Sequence, residues 1–179
     1  MTDAIPVHDL EEISSLPRGP FKRHFTATGF LVFNGSVLLH WHAKVLEWLP
    51  PGGHIEPNED PVQAVLREIK EETGLRVEIY GTPYLKESGG FPCAIAEPRH
   101  ILIENIDDPV DGVHQHIDMI YACKPKMDIS DAFDGWIWVG IEDLIKEKSF
   151  ITPSGELISP PEDVKVLGKR SLDLVRKFG

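Results

Sequence analysis

Cysteine is nearly missing from this chain. Cys93 and Cys123 are the only two in 179 residues, and without CxxC spacing they build no disulfide scaffold, which suits a reducing compartment. Long apolar runs are missing too, since no stretch approaches the ~18 residues that a membrane span requires. The opening segment, MTDAIPVHDLEEISSL, is acidic where a signal peptide would be basic. Positive charge is scarce: 18 Lys+Arg stand against 29 Asp+Glu, a formal net charge of −11. Such a surface repels phosphate backbones, so stable nucleic-acid binding is not expected, and a polyanionic ligand would need a cation to mediate its approach. There is no internal repeat and no low-complexity tract. These absences predict a cytoplasmic soluble protein without membrane attachment, large enough to bury about 70% of its unfolded surface in one core; they leave a homodimer open.

What is present reads as a leader over residues 1–22, mixing Pro, Gly, Ser and charge without period, followed by one domain over 23–179. The run HFTATGFLVF, then Asn34-Gly35, then SVLLHWH, predicts a β-hairpin with a two-residue turn. LEWLPPGGHIEP suits a strand end entering a tight loop. Further strands are expected in LRVEIYGTPYL, HILIEN, HIDMIYACK and GWIWVG. IEDLIKEKS and DVKVLGKRSLDLVRKF read as helices, the second interrupted by Gly168. Strands punctuated by a few helices imply an α+β fold, a three-layer sandwich around a mixed sheet.

The most informative helix spans about 61–73. Asp60 can cap it, Pro61 fits its first position and Gly74 can end it. At about 100° per residue, Glu72 lies near +40° and Glu71 near −60° from Glu68. Val62, Val65, Leu66, Ile69 and Thr73 fill the adjoining arc, so the carboxylate stripe borders the buried one. Like charges there repel, more strongly as the dielectric falls. A hard divalent cation would relieve them, and Mg²⁺ keeps coordination positions for substrate phosphates. Taken alone, E-x-x-E-E also describes a solvated acidic helix face.

The whole segment narrows that choice. Read from Gly53, GHIEPNEDPVQAVLREIKEETGL places Glu59, Arg67-Glu68-Ile69, Glu71-Glu72 and Gly74-Leu75 at set intervals. It resembles the Nudix box, G-x5-E-x7-R-E-U-x-E-E-x-G-U with U apolar, at every specified position. Weaker likeness extends over roughly residues 24–145. The resemblance implies a three-layer α/β/α sandwich that binds Mg²⁺ or Mn²⁺ and hydrolyses a nucleoside diphosphate linked to another moiety. Glu68, Glu71 and Glu72 would then be metal ligands, with the Gly52 carbonyl as a further one. Glu59 would be an auxiliary carboxylate, and Arg67 would orient Glu68 through a charge-assisted hydrogen bond. Glu56, in the same loop, is outside the box's specification and is a candidate helper. The expected reaction is attack of metal-activated water on a phosphorus of a pyrophosphate, with a carboxylate taking the proton. Glu68 is the favoured base, followed by Glu71 or Glu72; Glu87, Glu97 and Glu104 are candidates outside the box.

Other side chains have weaker claims. His40 and His42 share a strand face and are candidate substrate contacts, as are Trp48 and His116; the alternative is an ordinary half-exposed strand. His114-Gln115-His116 with Asp118 could imitate a transition-metal site, although a loop entering a strand is the simpler reading. Phe91, Trp136 and Trp138 could stack on a base, but aromatics in strands more often belong to the core. Pro92, in GGFPCA, lies near where ADP-ribose hydrolases carry a proline. The expected partner is a small nucleotide. Alternatives are a nucleotide-sensing or protein-binding module of the same fold, and a hydrolase of a non-nucleotide pyrophosphate such as a diphosphoinositol or prenyl compound. The former of those compounds would need basic clusters, for which Phe21-Lys22-Arg23-His24 and Lys165 to Lys177 are available.

Overall fold

The computed structural model describes residues 22–80, 94–126 and 135–178. Residues 1–21 of the proposed leader, Glu87, Phe91, Pro92 and Cys93 therefore lie outside the described residues, as does the GTPYL stretch. None of the described helices is long and apolar enough to cross a membrane.

The chain begins with β1 (Arg23–Phe33) and β2 (Ser36–His42). Val32 faces Val37 and Phe33 faces Ser36, leaving Asn34 and Gly35 as the turn. Both have positive φ, 46° and 74°, which is the requirement of a type I′ hairpin and the reason Asn-Gly sits there. Short strands β3 (Glu47–Leu49) and β4 (Gly52–His54) flank Pro50-Pro51, and α1 (Pro61–Thr73) follows. Then come β5 (Val77–Ile79), β6 (His100–Asp108), β7 (Gly112–Pro125) and β8 (Trp136–Gly140). The short α2 (Ile141–Ile145), a small hairpin of β9 (Phe150–Ile151) and β10 (Leu157–Ile158), and α3 (Glu162–Phe178) complete the described chain.

Eight strands form one mixed sheet with the path β3-β2-β1-β7-β5; β4 pairs with β1, β6 with β7 and β8 with β2. The central pairing is parallel, from Arg23 opposite Gln115 to Leu31 opposite Cys123. Alternation along β1 sends Ala27 and Leu31 to one face, and Phe30 and Val32 to the other. The first face packs on Val62, Ala64, Val65 and Ile69 of α1. The second packs on Leu144 of α2 and Val164, Leu167 and Leu172 of α3. The result is the three-layer α/β/α arrangement read from the sequence.

Two glycines set the helix-to-sheet distance. A Cβ on Gly29 would stand 2.5 Å from Ile69 Cδ1 and 2.9 Å from Val65 Cγ2, so α1 lies directly against β1. Gly168 does not interrupt the last helix, contrary to the sequence expectation: α3 runs unbroken through it. A Cβ there would meet Leu144 Cδ1 at 3.1 Å. The residue lets α3 approach α2 closely, and packing outweighs the propensity cost of about 1 kcal/mol. Buried Cys123 sits in the α1-side core, where loss of hydration pushes its thiol up to about 12.

Candidate active site

Both ends of α1 are fixed by its own sequence. The Asp60 carboxylate accepts from the Val62 and Gln63 backbone N–H groups at 2.8 and 2.9 Å, while the Gln63 side chain accepts from the Asp60 N–H at 2.9 Å, a reciprocal cap. Gly74 adopts φ 74° and donates its N–H to the Lys70 carbonyl, the left-handed ending that suits glycine. With both ends fixed, the helix presents Arg67, Glu68, Glu71 and Glu72 toward β4 and the following loop.

Arg67 is the hub. Its Nε and Nη2 each donate to one oxygen of Glu59 at 2.9 Å, its Nη1 donates to Glu68 at 2.7 Å and to Glu71 at 3.2 Å, and Nη2 also donates to the His54 carbonyl at 3.0 Å. The Glu59 and Glu68 side chains are only 14% and 16% exposed, whereas Glu71 is 61% exposed, so the first two are enclosed and the third faces solvent. The Arg67 fork, with burial opposing it and the Glu56 N–H assisting, holds Glu59 below the usual carboxylate range. The same contacts, Glu59 first and then Glu68, raise the guanidinium's affinity for its proton. Glu56 contributes its backbone N–H to Glu59 at 3.1 Å, and its residue is exposed.

Glu72 turns back to β4 and accepts from the Gly52 N–H at 3.2 Å. Although the residue as a whole is exposed, loss of hydration at its carboxylate, with Glu68 and Glu71 adding to it and the Gly52 bond opposing, pushes its pKa up to about 7. Three carboxylates thus gather around one guanidinium with a fourth, Glu72, beside them, an excess of negative charge that oxygen-seeking divalent cations match. The glycines explain how they fit: a Cβ on Gly53 would lie 2.5 Å from Glu68 Oε1, and one on Gly52 2.7 Å from Thr28 Oγ1. Glu68, Glu71, Glu72 and the adjoining Gly52 carbonyl are therefore suitable as a hard-metal donor set.

The opposite face of β1 and β7 is also polar. Asp118, 4% exposed, accepts from Thr26 Oγ1 at 2.9 Å, and burial raises its pKa. Glu104, cross-strand from His116, has its pKa pushed up to about 7 by burial and by Asp118, Asp163 and Glu47. Of the base candidates outside the box, Glu104 is half-buried, Glu97 is exposed, and Glu87 is outside the described residues.

The weaker candidates separate clearly. Trp48 is a core residue, 3% exposed, with Trp41 and Phe150 rings at 5.5 and 6.2 Å; its ring is enclosed by protein and lacks a free face for a base. Trp136 and Trp138 pack on the α1-side core. His40 and His42 do lie side by side on β2, with ring centroids 5.9 Å apart, and His40 packs 4.5 Å from Trp136. Burial first, and His42 second, lower the His40 pKa to about 4. His116 joins His24, His54 and His114 in one cluster. Asp118 bonds to Thr26 instead of accompanying the His114–His116 pair, and the sequence reading missed His24 and His54 because only strand pairing brings them there. Lys165, from the basic C-terminal run, is buried in ion pairs with Glu147 and Glu162, and Arg176 pairs with Asp173, so that run is no open cationic patch at these positions.

Comparison with known proteins shows the family. The NUDIX domain profile matches residues 22–159. A hydrolase of the NUDIX family from Clostridium perfringens superposes with a TM-score of 0.68 at 33% identity, over 86% of this chain and 99% of that one. The chain belongs to the NUDIX family. An m7GpppN-mRNA hydrolase, NUDT17, of Xenopus laevis is 48% identical over 144 residues, covering 75% of this chain but 47% of the relative. An RNA pyrophosphohydrolase of a Marinomonas species is 29% identical over 147 residues, 76% of this chain and 82% of that protein. The chain thus spans about half the length of the Xenopus laevis relative.

Proposed function

We propose that the protein hydrolyses a pyrophosphate bond in a small nucleoside polyphosphate or nucleoside-diphosphate derivative, using Mg²⁺ or Mn²⁺. One observation carries the reading: Arg67 gathers Glu59, Glu68 and Glu71 beside Glu72, on a helix pressed against two glycines. In that arrangement Glu68, Glu71, Glu72 and the Gly52 carbonyl would hold the cation. When bound, a divalent ion supplies charge neutralisation at phosphate oxygens and lowers the pKa of water.

The chain's own residues do the rest. Glu68 takes the proton of the attacking water, and the Arg67 contact at 2.7 Å fixes its rotamer. Arg67 is a positioning residue, locked in turn by Glu59. Glu71, 61% exposed against 16% for Glu68, would be the more solvent-facing of these two ligands. The names of the relatives, a capped-RNA hydrolase and an RNA pyrophosphohydrolase, share one chemical element, a 5′-polyphosphate attached to a nucleoside. That element defines the substrate class, and the acidic net charge makes a cation-mediated approach necessary.

The test is a panel of nucleoside di- and triphosphates, dinucleoside polyphosphates and 5′-capped or 5′-triphosphorylated oligonucleotides, with products identified by mass spectrometry in ¹⁸O-labelled water. Turnover that stops with chelator and returns with Mg²⁺ or Mn²⁺ is expected, and the label reports which phosphorus is attacked. Binding of panel members without turnover at any metal concentration would overturn the assignment in favour of a sensing module.

A further inference from the structure

Four imidazoles from three strands converge on the face of the sheet opposite α1. His24 is on β1, His54 on β4, and His114 and His116 on β7. Register makes this so: His24 stands opposite His116 across the parallel pair, and His54 stands opposite Thr26, one side chain along the same face of β1. Their rings are packed in a closed circuit, with centroids 4.9 Å apart for His24–His114, 5.0 Å for His24–His54, 5.0 Å for His54–His116 and 5.1 Å for His114–His116.

The nitrogens face inward. His24 Nδ1 is 3.0 Å from His54 Nε2, and His114 Nε2 is 3.2 Å from His116 Nε2. Tetrahedral zinc with bonds of about 2.0–2.1 Å has ligand atoms about 3.3 Å apart, so both pairs are already near that spacing. One ligand nitrogen from each of His24, His114 and His116 lies within 4.8 Å of the others. His114 supplies the independent sign. It is 3% exposed, and its Nδ1 sits 2.8 Å from the Gly112 carbonyl, so Nδ1 carries the proton and the Nε2 lone pair points at His116. A backbone carbonyl on the outer nitrogen is how proteins orient a metal-ligating histidine. Without a cation, a buried lone pair aimed at another imidazole can be satisfied only by the neighbour's proton.

We propose that His24, His114 and His116 form a binding site for a borderline divalent transition metal of the zinc class, separate from the carboxylate box, with the exposed His54 ring packed beside them. Imidazole nitrogen suits Zn²⁺, Cu²⁺ and Ni²⁺, whereas Mg²⁺ prefers oxygen, so the two sites select different ions. His54 and the half-buried His24 and His116 leave an approach from solvent. The site would staple β1 to β7. It would also touch the box through one residue, because the carbonyl of His54 accepts from Arg67 while its ring belongs to the cluster.

The test uses the full, tag-free chain with Co²⁺ as a spectroscopic stand-in for Zn²⁺, titrated in excess Mg²⁺ so that oxygen sites are filled. One equivalent of Co²⁺ should give the intense visible d–d bands of a tetrahedral nitrogen site, and Zn²⁺ should bleach them. His116→Gln and His24→Gln should each weaken the Co²⁺ affinity by about tenfold or more, with far-UV circular dichroism reporting that each variant is folded. The double variant Glu68→Gln/Glu72→Gln should keep the bands. Absence of bands at saturating Co²⁺, or bands lost in the carboxylate variant but kept in His24→Gln and His116→Gln, would overturn the proposal. Neither result bears on the hydrolase reading, which is decided by product analysis with Mg²⁺.

Discussion

Arg67 grips Glu59 with two parallel bonds, Nε and Nη2 each donating at 2.9 Å to a separate carboxylate oxygen. Loop and helix positions eight apart in the chain are thereby locked to one another, and Nη1 remains to hold Glu68. A lysine reaches the same region as a point charge but cannot reproduce the fork. Arg67→Lys is therefore expected to lower kcat by about 10–100-fold, the range seen when an orienting partner is lost, with a modest change in KM. Steady-state kinetics on whichever nucleotide the panel identifies measures the split; unchanged kcat would remove Arg67 from its positioning role.

Glu68→Gln keeps the side chain's shape but removes the basic oxygen. Loss of a general base costs typically 10²–10⁴-fold, and that loss should persist at saturating metal. Glu104→Gln is the matched control on the other face of the sheet. If Glu104→Gln is the crippled variant while Glu68→Gln turns over near normally, the base belongs to β6 and the assignment made above is wrong.

Gly53→Ala and Gly29→Ala separate site geometry from packing. At Gly53 the new methyl would displace the flexible end of Glu68, so melting temperature should hardly change while kcat falls on the order of a hundredfold, as about 1 Å of misplacement can cost. At Gly29 the methyl meets Ile69 and Val65 in the core, and overpacking should cost about 1–3 kcal/mol. Chemical denaturation alongside kinetics should show opposite profiles for the two.

His40 has a consequence for acid stability. Its folded pKa, near 4, lies below the ordinary 6.5, so between those values the unfolded chain binds the proton more readily. Its contribution is fully present above about pH 6.5 and is lost as pH falls through 4, on the order of 1–3 kcal/mol. The difference in unfolding free energy between wild type and His40→Gln should therefore vary with pH inside that window and be flat above it. NMR titration of the ring gives the pKa directly, and a midpoint near 6.5 would refute the account.

Local chemistry was legible, and distant pairing was not. Asp60, Pro61 and Gly74 marked both ends of α1 because caps act within one turn, and Asn34-Gly35 marked the hairpin because only such residues take two positive φ values in succession. The box was readable for the same reason, since its partners Glu59, Arg67, Glu68 and Glu71 lie within 13 residues. By contrast, His24 and His54 belong with His114 and His116 only through the β1–β7 and β1–β4 registers, which the sequence pattern does not encode. Gly168 misled because its propensity is a local quantity, while the close approach of Leu144 that favours it is a tertiary one. Trp48 was similarly ambiguous, as a strand aromatic reads alike whether it faces a ligand or Phe150.

The parallel union of Arg23–Leu31 with Gln115–Cys123 joins segments about ninety positions apart. Closing so wide a loop delays folding relative to local contacts, so a growing polypeptide can coil the acidic helix long before its platform exists. Any shortened version ending ahead of Gln115 would keep all the box side chains yet lack the strand that braces β1, and hydrolytic competence should therefore arrive all at once, late in synthesis.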